Sequence, residues 1–398
     1  VRLPGLGLVL GLLAAGAALH AQPLPEDRLA ADLREEVRRL DVAVKDLYGR
    51  EERRSIALTV FRPPGAGPFP LAILSHGRAV NDRRGEQGRQ RFEVQARWLV
   101  DMGFAVLVPT RVGYGDTYGD FDPEESGPCS AKRYEPMAQA AADQVLAALA
   151  HARTQADIDA SRWVKLGVSV GGMTTLAVAA RNPAGLVAAI NFAGGAGGNP
   201  DERPADPCSP AALERLWRTQ AATAPVPTLW VYWTHDRYWG EQIPRRWAEA
   251  WKQGGGQVDF QQLGPWPLPP APGAAAPARP VDGHGGLGAD MDRWVPLVEA
   301  FLARAGFTRS GLAPRPAASG FARVEDIEKV PVTPQRREQL YRAFLQAPLP
   351  RAFVIAPNGS AAWASGDWAV GRALGRCQWR DGQRCKLYAV DRDVVWTP

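Results

Sequence analysis

The chain has 398 residues, 45% of them hydrophobic and 22% charged, an ordinary globular composition. A chain of this length buries a full core without disulfides to hold it together. Its formal net charge of +5 is small and scattered, with no basic run interleaved with aromatics, which argues against a nucleic-acid partner.

The first residues read as an address. Arg2 supplies a positive start, residues 6–19 are an apolar stretch, and Ala21 offers a small residue before Gln22 and Pro23. This is the pattern of a secretory signal peptide over residues 1–21, cleaved near Ala21. The stretch is too short and too rich in glycine for a comfortable bilayer crossing, although an uncleaved anchor is the alternative. No later segment approaches spanning length, so no stable membrane span is expected. The expected destination is secreted or periplasmic, in a bacterium.

Residues 26–47 repeat Leu29, Leu33, Val37, Leu40, Val44 and Leu47 at helical spacing with charges between them, which predicts an amphipathic helix. From there strands and helices alternate. Strands are expected at 55–61, 70–75, 104–109, 163–168, 186–192, 228–233 and 258–263. The continuous apolar runs at 70–75 and 104–109 suit buried parallel strands. Helices are expected at 92–102, 134–153, 173–181, 243–253 and 292–305, the fourth of the five before a final strand and the third stopping at Asn182-Pro183. Alternation of this kind calls for an α/β fold, a mostly parallel sheet covered on both faces, over residues 22–307. Residues 264–282 are rich in Pro and Ala and read as an irregular loop, and 308–320 as a linker of the same composition. Residues 321–398 then predict a small α+β accessory domain. It has a helix around 333–345, a hairpin through 353–363 turning at Asn358-Gly359, and a last strand at 386–390.

Four cysteines, Cys129, Cys208, Cys377 and Cys385, form an even set that fits an oxidising compartment. Proximity pairs Cys377 with Cys385 and leaves Cys129 with Cys208, four free thiols being the alternative. The short Cys377–Cys385 loop would add roughly 2–3 kcal/mol on the chain-entropy account. No C-x2-C pair occurs, and no cluster of His, Asp and Glu has ligand spacing, so no metal is expected.

The chemistry centres on Gly167-Val168-Ser169-Val170-Gly171. A strand runs straight into it and a helix follows, the setting in which a tight turn exposes a nucleophilic Oγ. A serine needs a base. His20 lies in the leader and His151 inside an Ala-rich helix. His76 and His235 each end a strand, where ligands bind, and position alone leaves both open. His284 lies in a loop between the last strand and the last helix, after both nucleophile and acid, and is the preferred base. The acid is Asp236, directly after strand 228–233. Its rival Asp282 is only two residues from His284 and is better suited to shaping the loop. An oxyanion needs ready N–H donors. These should be the Val170 amide and one from Ser75-His76-Gly77-Arg78, the Arg78 amide preferred and Gly77 the alternative.

Ser75-His76-Gly77, Gly167-Val168-Ser169-Val170-Gly171, Thr234-His235-Asp236 and Gly283-His284-Gly285 together resemble the dienelactone hydrolase-like branch of the α/β-hydrolases over roughly residues 50–306. The resemblance implies the α/β-hydrolase fold with an eight-stranded, mostly parallel sheet. It also implies hydrolysis through an acyl-enzyme with no metal or organic cofactor. True dienelactone hydrolases use a cysteine nucleophile, whereas this chain has Ser169, as in esterase-like relatives. A carboxylic ester is implied and the dienelactone is not. Residues 321–398 loosely resemble small Cys-paired domains of secreted bacterial proteins.

Residues 111–135 should overhang the serine. They carry Tyr114, Tyr118 and Phe121 beside Asp116, Asp120, Asp122, Glu124 and Glu125, which predicts a partly acidic rim favouring neutral or cationic esters. Tyr114, Trp239 and Trp266 are candidates to line the pocket. The expected partner is thus a small-molecule ester. The alternatives are a peptidase or amidase of the same clan, and a binding protein on a hydrolase scaffold.

Overall fold

Continuous apolar runs become the middle of the sheet, as burial on both faces requires. A computed structural model describes residues 29–80, 82–265, 282–310, 314–381 and 384–398. Eight strands form one sheet: β1 (Glu36–Lys45), β2 (Glu51–Phe61), β3 (Phe69–Ser75), β4 (Ala105–Pro109), β5 (Ile158–Val168), β6 (Leu186–Phe192), β7 (Thr228–Trp233) and β8 (Val258–Leu263). Their order is β1-β2-β4-β3-β5-β6-β7-β8. β1 and β2 are antiparallel, and β2 is antiparallel to β4. Every other pairing in this sheet is parallel. This is the mostly parallel eight-stranded sheet of the α/β-hydrolase fold.

The helices that cover it are α1 (Glu93–Asp101), α2 (Tyr134–Ala152), α3 (Val170–Ala180), α4 (Pro210–Ala221), α5 (Gln242–Gln253), α6 (Gly286–Ala289) and α7 (Met291–Arg304). Sequence reading passes over α4. Its signals are Pro210 at the first turn and Leu213, Trp217 and Ala221 buried four residues apart. The indoles of Trp217, Trp230, Trp247 and Trp239 then pack edge to face, with Trp251 tilted on Trp230, clamping α4 and α5 against β7. That clamp fixes the carboxyl end of β7.

The helix expected over residues 26–47 is a correction. After a single turn at Ala31–Leu33 the segment is β1, an outer strand paired along its length with β2. Leu40, Val42 and Val44 alternate inward, while Val37 is 42% exposed. Leu40 and Val44 fit both the 3–4 spacing and, with Val42, the period of two, and pairing with β2 decides between them. Charges along this edge keep it from recruiting another strand.

Beyond residue 314 come α8 (Pro334–Arg336) and α9 (Arg342–Gln346), joined by a π turn over Arg337–Tyr341. Then follow β9 (Arg351–Ile355), β10 (Ala361–Ser365), α10 (Ala369–Asp381), β11 (Lys386–Val390) and β12 (Asp393–Val394), the strands in the order β10-β9-β11-β12. The hairpin turns where Asn358 accepts from Ser360, as expected. α10 was not foreseen, because Gly371 and Gly375 weaken its helical signal. Both disulfides form with the expected pairing. The signal segment 1–21 and nearly all of the loop 264–282, Trp266 included, lie outside the described residues.

Candidate active site

β5 delivers Ser169 into a backbone conformation that L-residues rarely adopt, φ 58° and ψ −124°, and α3 starts one residue later. The turn is this tight because its neighbours are glycines. A Cβ on Gly167 would sit 2.0 Å from the Gly171 oxygen, and one on Gly171 would sit 2.1 Å from the Ser75 oxygen. Ser169 is further tied down by its own amide to Phe192 O at 3.0 Å and by Gly195 N donating to its carbonyl at 3.1 Å.

The β3 loop closes over the serine. A Cβ on Gly77 would lie 3.0 Å from Ser169 Cβ. Val170 is the first residue of α3, so its amide points out of the helix with no carbonyl in the preceding turn to take it. The Val170 amide and the backbone of Gly77 thus lie beside the nucleophile.

Asp236 follows β7, and His284 lies in the short turn Gly283–Gly285. His284 Nδ1 is 2.9 Å from Asp236 Oδ2. Asp236 Oδ1 accepts from the amides of Tyr238 at 2.7 Å and Trp239 at 3.1 Å. Asp282 instead accepts from the amides of His284 at 3.0 Å and Arg237 at 2.9 Å, which makes it a loop-shaping residue. The imidazole stacks on Tyr238 at 3.9 Å and meets the edge of Trp239 at 5.4 Å. Trp239 also packs on Gly195, the residue whose amide donates to Ser169 O: a Cβ on Gly195 would sit 2.9 Å from that indole. Among the described residues Ser169 Oγ makes no side-chain hydrogen bond. Such bonds are often long before substrate binds.

The other histidines separate clearly. His76 is buried, its Nε2 accepting from Arg111 N at 3.0 Å and its Nδ1 meeting Gly77 O at 2.7 Å. Burial, and then the Arg111 charge, hold this imidazole well below its usual range, so it is a neutral structural group. His235 is exposed, its ring meeting Thr234 Oγ1 at 3.1 Å and its carbonyl accepting from Gly283 N at 2.8 Å. Lys165 is buried on β5 beneath the serine turn, donating to Thr175 Oγ1 at 3.3 Å, and burial holds its amine well below the lysine range.

Both pocket candidates with described side chains lie inside. Tyr114 is 0% exposed, its hydroxyl donating to Glu124, and Trp239 is 1% exposed with its Nε1–H on Ala193 O. Neither ring face is open to a ligand. Tyr238, which sequence reading missed, is the ring on the imidazole.

The carboxylates of the 111–135 loop mostly find partners. Asp122 pairs with Arg78 at 2.6 Å and Arg84 at 2.9 Å, and Asp116 pairs with Arg39 at 2.5 Å. Glu125 is taken up by the amides of Ser126 and Gly127. Glu124 meets Arg111 in an ion pair with both side chains 0% exposed. Most of these carboxylates thus meet arginines or backbone amides, while Asp120 stays exposed with Arg50 at 3.8 Å. The Cys129–Cys208 bond does staple this loop to the one after β6.

Arg111 also donates through Nη1 to His76 O at 2.8 Å, so the buried pair holds the loop that carries Gly77 and Arg78. Burial works against the Arg111 charge, but Glu124 and Tyr114 together outweigh it and the guanidinium is held above its usual range. Glu124→Ala strands that cation in a dry interior, and the expected cost is about 3–5 kcal/mol in a denaturant melt. A cost below ~1 kcal/mol would mean that the site readmits water freely.

A groove of about 540 Å³ between α2, α3 and α4 holds none of Ser169, His284 and Asp236.

Residues 54–226 match the family model for X-Pro dipeptidyl-peptidase (S15 family). No curated protein matches the chain. Among solved structures, a puromycin-hydrolyzing peptidase of Mycobacterium tuberculosis is 17% identical, with a TM-score of 0.39 over 58% of this chain and 36% of that one. The chain thus spans about a third of that peptidase. An acetyl xylan esterase from Paenibacillus sp. R4 is 17% identical, with a TM-score of 0.40 over 58% of this chain and 83% of that one. A dienelactone hydrolase-like promiscuous phosphotriesterase from metagenomic libraries is 18% identical, with a TM-score of 0.37 over 58% and 82%.

Proposed function

We propose that this chain, an α/β-hydrolase of the serine-hydrolase superfamily, cleaves carboxylic esters with Ser169 as nucleophile, His284 as base and Asp236 as orienting acid. The observation that carries this reading is a serine held in a strained strand-to-helix turn, together with an imidazole bonded to a buried carboxylate. His284 Nε2 takes the Ser169 proton as Oγ attacks the ester carbon. The carbonyl oxygen gains a negative charge and is met by the Val170 amide and that of Arg78 or Gly77. His284 then gives its proton to the departing alkoxide, which leaves as alcohol. Water, deprotonated by the same imidazole, frees the acid from Ser169 and restores the hydroxyl. Asp236 holds Nδ1–H throughout and stabilises the imidazolium.

The family-model match favours a second reading, amide cleavage by the same groups. Esters are the weaker demand, because an alkoxide leaves more readily than an amide nitrogen. A site able to cut amides therefore cuts esters as well. Two disulfides support an oxidising location, in keeping with an exported protein cleaved near Ala21. No helix among the described residues is long and apolar enough to cross a membrane.

The test pairs short-chain nitrophenyl esters with matched nitroanilides, before and after treatment with a fluorophosphonate. Ester turnover is expected, to be abolished in step with one adduct on the peptide carrying Ser169. An adduct elsewhere, or turnover that outlasts complete labelling, would reject the assignment. Anilide turnover comparable to ester turnover would favour the peptidase.

A further inference from the structure

His284 does not stand on its own loop alone. Its turn runs directly into α6, and α6 is gripped from several sides. Leu287 O accepts from Gln95 Nε2 of α1 at 3.0 Å and from Trp294 Nε1 of α7 at 3.1 Å. A Cβ on Gly286 would overlap the Trp233 indole at 2.1 Å. The remaining side is closed by α10, from the far C-terminal segment. A Cβ on Gly375 would sit 2.4 Å from Gly288 O, so the two backbones touch there.

The grip of α10 is broad. Gly371 packs on Met291, with a Cβ there 3.3 Å from its Cε. Arg372 and Arg376 both pair with Asp292 in the first turn of α7. Ala369, Ala373, Leu374 and Cys377 are buried in the same core as Trp294 and Leu287. The Cys377–Cys385 bond ties α10 back to the segment entering β11.

We infer that α10 of the C-terminal segment is a positioning element for His284, setting through α6 how far the imidazole stands from Ser169. The inference rests on the catalytic reading above. Its physical basis is that the base must hold one geometry relative to the serine. A displacement of about 1 Å in such a group can cost on the order of 100-fold in rate. The glycine at 375 is what lets the helix come close enough.

Gly375→Ala and Gly375→Val wedge α10 away from Gly288 O by increasing amounts. The expected result is a graded fall in kcat, roughly 10- to 100-fold for valine, with KM within about twofold. The downfield proton resonance of His284 Nδ1–H, read in the full chain, should shift or broaden in the same order. Phe344→Ala is the control. It empties part of a separate core between α9 and β9 that includes no residue of α6. It should lower thermal stability and leave kcat unchanged. Folded Gly375 variants with parental kcat and parental resonance would overturn the inference, as would an equal kcat loss in Phe344→Ala. Should Gly375→Val not fold, the alanine variant carries the same comparison. Failure of the catalytic reading would show differently: ester turnover would survive Ser169→Ala. The resonance would still report whether α10 governs the imidazole.

Discussion

Ser169→Ala is expected to lower kcat for nitrophenyl esters by roughly 10⁵- to 10⁶-fold while leaving the fold and KM near those of the parent. The magnitude follows from what remains. Without Oγ no acyl-enzyme can form, and only the amides of Val170 and the β3 loop, with binding itself, still favour the transition state. Such remnants account for about 10³- to 10⁴-fold over water. The fold should be indifferent, because the strain at this position lies in the backbone at φ 58° and is held by the Phe192 and Gly195 hydrogen bonds. Alanine inherits the same backbone. Initial rates on enzyme purified free of contaminating esterase decide the matter. Retention of more than about one hundredth of the parental kcat would remove Ser169 from the mechanism.

Asp236→Asn should cost about 10⁴-fold in kcat, near 5 kcal/mol, with little change in shape. The surroundings dictate how the new amide sits. Two backbone N–H groups, those of Tyr238 and Trp239, point at Oδ1, so the amide oxygen must take that place. The NH2 then faces His284 Nδ1, where the carboxylate had accepted at 2.9 Å. Nδ1 is forced to accept, the ring proton moves to Nε2, and Nε2 can no longer take the serine proton. Nitrogen-resolved NMR of the imidazole should show the exchanged tautomer alongside the lost rate. A variant with the parental tautomer and near-parental kcat would mean that another acid orients His284.

Both predictions concern residues that the sequence makes legible. Ser169 stands in a glycine-flanked turn between an apolar strand and a helix. Asp236 ends a strand and His284 precedes the last helix, so chain order alone suggests their meeting. The ring stacked on the base was harder to see. Tyr238 lies two residues from Asp236 in a loop whose path depends on the indole clamp between α4, α5 and β7. Nothing local distinguishes it from Trp239, which the same clamp buries.

The partners of the rim carboxylates were hard to see for a related reason. Residues 116–125 carry many carboxylates, but their field depends on where arginines arrive from. Arg39 reaches Asp116 from 77 residues away, and Arg78 reaches Asp122 from 44. Composition counts charges; only the sheet order β1-β2-β4-β3 says which become neighbours.

By itself the sequence determined the alternation of strands and helices, the parallel centre of the sheet and the residue types at the ends of β5 and β7. Buried strands must be continuously apolar, and a strand-to-helix turn that exposes a hydroxyl needs glycines. Tertiary structure alone decided that residues 36–45 pair as β1, that Tyr114 and Trp239 are inside, that most rim carboxylates find partners, and that α10 packs on α6. Each of these turns on burial or on contact between distant segments, and neither has a period or a spacing that a linear reading can detect.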